Sequence, residues 1–217
     1  MEYDLIYPDN HGDMNITPCI IAAVYFDEDE LIRLGVPKDS LEVQEPFWDY
    51  NEFKKAFELW SSPAFLSDFF DKYQSFFEQD YWKSISEEEF QTQVLRSLNR
   101  NRKELMQKMS SNDFCSLVNP LDDKEETKRL SDSIKVKIKQ GVIKGHFPFR
   151  FYAIEIEEKK CYLITGATIK VHKDMGKAPN TKIELKKLEK VYGVLDAKEV
   201  KTKETFIDFF NKEKAKQ

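Results

Sequence analysis

The sequence predicts an α+β protein: a mainly helical N-terminal part followed by a small antiparallel sheet packed with a C-terminal helix. Three observations predict it. Apolar residues recur at helical spacing through residues 47–116. The period drops to two at Ser133, where SIKVKIKQ alternates apolar residues with lysines. Helical spacing returns with Leu185, Leu188, Val191, Tyr192 and Leu195. Composition agrees with a chain that builds a core. Of 217 residues, 13% are aromatic, 7 are Gly and 8 are Pro, which favours regular elements over long loops.

Residues 16–26 (ITPCIIAAVYF) form an apolar run suited to a buried strand, and residues 27–34 then read as a short acidic helix stopped by Gly35 and Pro37. In the helical stretch, Asp49 with Glu52 has the spacing of a capping box. Phe53, Ala56, Phe57 and Trp60 follow on one face. Ser62 and Pro63 restart the chain as N-cap and first helical residue. Ser86 with Glu89 opens a long helix carrying Phe90, Val94, Leu98, Leu105 and Met109. The aromatic stripes read as core. Residues 117–133 read as a connector with a short polar helix.

In the C-terminal part, SIKVKIKQ, FRFYAIEIE and CYLITGATIKVH give three strands, the last two joined by a hairpin at EEKK. KDMGKAPN reads as a loop. Thr181 with Glu184 has capping-box spacing at the head of the closing helix, and TFIDFF docks as a last short helix. Charge divides the chain in the same place. Residues 1–130 carry 14 basic and 27 acidic side chains, whereas residues 131–217 carry 20 and 12. This predicts two domains, an acidic one over 1–130 and a basic one over 131–217. The basic part is expected to meet a polyanion, an acidic protein, or the acidic part itself.

No apolar stretch is long enough to cross a membrane, and MEYDLIYPDN is not a secretory signal. Three scattered cysteines make no disulfide framework, so a reducing cytoplasm is expected. The three histidines have no metal-ligand spacing, so neither a metal nor another cofactor is expected.

Three groups of residues could carry chemistry. Lys135, Lys137 and Lys139 alternate along one strand, which sets like charges about 7 Å apart on one face. That face suits a phosphate backbone, though lysines also protect a sheet edge from pairing. Arg150 can hold a phosphate while Tyr152, on the same face, stacks on a base; the alternative is Arg150 paired with Glu155 or Glu157. Lys170, His172 and Lys173 end the third strand, and Lys177 follows the turn. Cationic neighbours favour a neutral imidazole, which could serve as base or acid. Metal-independent RNA cleavage needs such a group and cations on the phosphorane; an ordinary polar strand end is the plainer alternative.

The block KVKIKQGVIKGHFPFRFYAIEIEEKKCYLITGATIKVHKDMGKAPNTKIELKKLEKVYGVL resembles the C-terminal part of RelE/HigB-like toxins of bacterial toxin–antitoxin systems. The matching features are a basic strand with Lys137 and Lys139, the Arg150 strand, a third strand ending in Lys170 and Lys173, then Pro179 and a helix from Lys182. The resemblance implies a RelE-like sheet-and-helix fold, a metal-independent endoribonuclease acting on RNA or at the ribosome, and an antitoxin partner. The chain departs from the pattern at Val171, where many relatives have a second lysine, and in its long acidic helical part. Some relatives bind a protein and cleave nothing, which leaves a non-enzymatic protein-interaction module as the second reading.

Overall fold

The computed structural model describes residues 1–8, 12–79, 82–110, 118–120, 135–139, 149–172 and 175–216. Six strands form one sheet: β1 (Glu2–Tyr7), β2 (Ile20–Tyr25), β3 (Val118–Pro120), β4 (Lys135–Lys139), β5 (Phe149–Ile156) and β6 (Cys161–Ile169). Their order is β1-β2-β6-β5-β4-β3. The fold class is α+β, but the sheet is mixed, which corrects the expected antiparallel one. β2 runs parallel to β6, pairing Ile20 with Cys161 through Ala23 with Ile164, and all other pairs are antiparallel. The reason lies in the composition of β2. Ile20 to Val24 are apolar on both faces and fully buried, so the strand fits only a central position.

The same pairing corrects the expected separation at residue 130. Strands from both sides of that boundary share one sheet, and the packed clusters on each face draw on both parts. Of the connector expected over residues 117–133, only β3 is described, and the polar helix expected in it lies outside the described residues.

Helices cover both faces. On one lie α2 (Glu52–Glu58), α3 (Pro63–Lys72), α4 (Gln74–Phe77) and α5 (Glu87–Ser110). Their aromatic stripes are core, as expected: Trp60 meets Phe149 edge-on at 5.3 Å, and Phe69 stacks on Phe90 at 6.1 Å. On the other lie α1 (Glu28–Leu34), α6 (Pro179–Ala197) and α7 (Lys203–Lys214). There Leu188, Val191 and Phe206 pack with Tyr152, Ile154 and Leu163.

Local signals placed most helix starts. The Ser62 hydroxyl accepts from the Phe65 N–H at the head of α3, and Ser86 and Glu89 make the reciprocal box before α5. Gly35 ends α1 at φ 105°, a left-handed position that favours glycine. Two caps differ from expectation. Asn51, not Asp49, caps α2 by accepting from the Lys54 N–H at 2.8 Å. α6 begins at Pro179, so Thr181 lies inside the first turn and donates to the Ala178 carbonyl at 3.0 Å.

A bulge in β6 positions the site. Tyr152 pairs with Gly166 and Ala153 with Ile164, leaving Thr165 as the extra residue. Before it, Cys161 and Leu163 belong to the α6 side; after it, Ala167 and Ile169 belong to the opposite cluster. Alternation therefore turns Gly166 and Thr168 toward α6.

Candidate functional site

The ladder brings several sequence-predicted cations to adjacent positions. Lys139 pairs with Arg150, which pairs with Thr168; Lys137 pairs with Tyr152, which pairs with Gly166. For Lys135, Lys137 and Lys139 only the backbone is described, and Lys173 lies outside the described residues. Arg150 and Tyr152 do share a face, and α6 packs on it at Tyr152. Arg150 is 9% exposed and Tyr152 fully buried. Tyr152 packs with Leu188 and Val191, so stacking of a base on it is corrected: no base reaches that ring in this fold. Glu155 accepts from the Tyr162 hydroxyl and the Lys159 N–H, while Glu157 accepts from the Lys203 N–H and holds Lys160. The two carboxylates weighed as alternative partners of Arg150 thus have these other engagements.

His172 lies toward the opposite helical layer. Its ring meets Phe76 edge-on at 6.1 Å, and the neighbouring Val171 carbonyl accepts from the Trp82 indole N–H at 2.9 Å. Lys170 is half-buried and Lys177 exposed. Of the expected catalytic set, Arg150 and His172 are therefore divided by the plane of the sheet. Arg150, Lys170 and His172 line neither the cleft between α2, α3 and α6 nor two smaller ones beside Tyr192 and Lys103.

The most developed polar constellation among the described residues centres on Lys187, outside the residues the sequence singles out. Lys187 of α6 is 1% exposed, and its Nζ lies 2.8 Å from Glu42, 2.9 Å from Glu52 and 3.2 Å from Glu184. Glu52 also binds Lys55 at 3.1 Å. These contacts tie α6 to α2 and to the helical turn Leu41–Val43. A buried cation needs such company, because desolvation alone would expel its charge. Burial pulls Lys187 toward neutrality, but Glu184, Glu42 and Glu52 outweigh it and hold its ammonium well above the usual range. Burial likewise pushes Glu42 up, and Lys187 with Lys55 overcomes it, so Glu42 stays below the usual carboxylate range.

Glu184 is the exception. Burial pushes its carboxyl up to about 8; Lys187 pulls it down, while Glu52 and Glu42 add to the rise. It is therefore largely protonated at neutral pH. Its Oε2 lies over Gly166, where a Cβ would sit 1.8 Å away. One turn earlier, the Asn180 amide donates to Thr168 Oγ1 at 2.9 Å and to the Ile169 carbonyl at 2.7 Å. Asn180 Oδ1 and Glu184 Oε2 are buried without a hydrogen-bond partner among the described residues.

A sequence signal for this cluster existed. Extending the stripe Leu188, Val191 and Leu195 back by four and seven residues reaches Glu184 and Thr181, polar groups on the buried face of α6. The reach of Lys187 to Glu42 and Glu52 had no such signal, because those partners are more than a hundred residues away. Among the described residues no group of His, Cys, Asp and Glu could hold a metal ion, and no helix is long and apolar enough to cross a membrane. No protein-family model matches the chain, and neither does any curated protein or solved structure.

Proposed function

We propose that the chain is a toxin-like protein of a bacterial toxin–antitoxin or defence system that cleaves RNA without a metal. The observation that carries this reading is the β4–β5–β6 ladder followed by α6. It sets Lys137 and Lys139 in register with Tyr152 and Arg150, in the element order that the RelE-like resemblance implies. Arg150 and Lys170 supply cations for a phosphate, and Tyr152 serves as a packing residue under α6 rather than a stacking platform. RNA or the ribosome is the target, and an antitoxin the partner.

A second reading, a non-enzymatic protein-interaction module on the same scaffold, is favoured by the burial of Arg150 and by the position of His172 beside Phe76. One experiment separates the two. The wild type, Arg150→Ala, Lys170→Ala and His172→Ala are expressed in bacteria, and the purified proteins are incubated with RNA. The first reading expects growth arrest and RNA cleavage, both lost in Arg150→Ala and Lys170→Ala at unchanged melting temperature. Intact RNA with every protein, the wild type included, sinks the nuclease reading and leaves the interaction module.

A further inference from the structure

Helix α5 buries one side and leaves the other in solvent. Phe90, Val94, Leu98, Leu105 and Met109 pack in the core. Opposite them stand Arg96, Arg100, Lys103 and Gln107, all exposed. They follow one another at spacings of four, three and four residues, so they share one face. That face runs about 16 Å along the helix. Arg100, Lys103 and Lys108, with Glu104 and Gln107, line a shallow recess of about 360 Å³ on it.

The charge of this face is at odds with its surroundings. Residues 1–130 carry 14 basic side chains and 27 acidic ones, yet five of the 14 fall within residues 96–108 beside a single carboxylate, Glu104. Arg96, Arg100, Arg102 and Lys103 enter no ion pair among the described residues. Arg102 lies 5.7 Å over the Phe57 ring, at the flank of the face. Two ordinary reasons for helix cations fall short. Cations near a helix C-terminus answer the dipole, but that effect dies out beyond the last turn, and Arg96 and Arg100 stand in the middle of a 24-residue helix. Pairing along the helix needs carboxylates, and Glu104, four residues after Arg100, makes no ion pair with it. Like charges set side by side repel, and an anion laid across them relieves the repulsion.

Composition decides the kind of partner. Protein interfaces are organised around buried aromatic or aliphatic anchors. This face has none at its centre; Met106, 47% exposed, sits at its margin. Its side chains are instead those that hydrogen-bond phosphate and sugar: arginine and lysine, flanked by the exposed amides of Gln93 and Asn99. We infer that the solvent face of α5 binds the phosphate backbone of RNA. Arg96, Arg100 and Lys103 meet phosphates, and Gln93 and Asn99 donate beside them. The choice of RNA among polyanions rests on the function proposed above. This surface is a contact separate from Arg150, because it lies outside the block that resembles the toxins and α5 packs on the side of the sheet opposite Tyr152.

The test reads binding apart from cleavage. Fluorescence anisotropy follows the full chain binding a labelled single-stranded RNA across a range of salt, the RNA being 2′-O-methylated so that it cannot be cut. Arg96→Ala/Arg100→Ala/Lys103→Ala is compared with Lys212→Ala/Lys214→Ala/Lys216→Ala, which removes the same charge from exposed positions in and after α7. Alanine is the best helix former, so both variants are expected to melt as the wild type does. The α5 variant is expected to bind about tenfold or more weakly at about 0.1 M salt. Its plot of log affinity against log salt is expected to be shallower by about 2, from three phosphate contacts at about 0.7 each. The α7 variant is expected to stay within about twofold of the wild type. An α5 variant that binds like the wild type overturns the inference, as does an α7 variant that loses as much, or a wild type that binds no RNA. So does polyglutamate that displaces the RNA at equal charge concentration, which would make the face a site for an acidic protein. Cleavable RNA left intact by the wild type, with binding still lost in the α5 variant, removes the nuclease and keeps this surface. Cleavage by the wild type, with full binding in the α5 variant, does the reverse.

Discussion

Glu184 and Gly166 show how one side chain constrains another across elements. The glycine is needed because the Glu184 carboxyl occupies the space of its missing side chain. The carboxyl cannot simply swing away, since Lys187 holds its other oxygen. Gly166→Ala is therefore expected to lower stability by about 1–3 kcal/mol. Glu184→Ala in the same chain should recover part of that loss, because the clash and its cause are then removed together. Chemical denaturation of both single variants and the double variant measures the coupling; strict additivity would mean the two residues do not contend for one space. Lys187→Met is a harsher change. It leaves Glu42, Glu52 and Glu184 grouped without their shared cation, and an unpartnered buried charge costs about 3–5 kcal/mol. A denaturation midpoint close to the wild type would show that the lysine is not the keystone of this cluster.

Among the elements, the helices obey local rules and the sheet does not. Ser62 and Pro63 start α3 where the sequence places them, and Ser62→Ala is expected to cost about 1 kcal/mol because the Phe65 N–H loses its acceptor. A thermal melt unchanged by this substitution would show that the cap is idle. Ser86 and Glu89 were equally legible at the head of α5. Capping chemistry acts within three residues, so a short window of sequence contains all of it. Asn51 displaced Asp49 as the cap of α2 within that same window, which is the size of error such local competition allows. The mixed sheet was not legible. The apolar run at residues 16–26 announces a buried strand, yet its parallel partner is Cys161 and the residues after it, about 140 positions onward. The parity change at Thr165 is not legible either, since a bulge is visible only once a strand has a partner. That one inserted residue decides that Gly166 and Thr168, rather than Ala167, face α6.

At the scale of the molecule, two helical layers enclose one sheet, and the ion cluster fastens α6 to α2 and to the turn before it. This fastening gives stability a pH dependence whose sign can be worked out. Glu184 is held up to about 8 in the native state, against about 4.3 for an unfolded glutamate. Between those values the native state keeps a proton that the unfolded chain has released, so stability falls as pH rises. Glu42 acts in the opposite sense: its contribution is present above the usual glutamate range and is lost as pH falls into acid. The melting temperature is thus expected to decline from pH 5 to pH 8, and Glu184→Gln should flatten the decline. An equally steep decline in that variant would place its source elsewhere. The sequence by itself determined the helical stripes, most of their caps, the presence of the later strands and the opposed charges of the two parts. Each of these is written in neighbours a few residues apart. Only the tertiary structure decided that strands from both ends share one sheet, that Arg150 and Tyr152 are buried, and that Lys187 gathers three carboxyls. Those outcomes depend on pairing and burial between distant segments, where desolvation and packing, rather than local propensity, set the free energy.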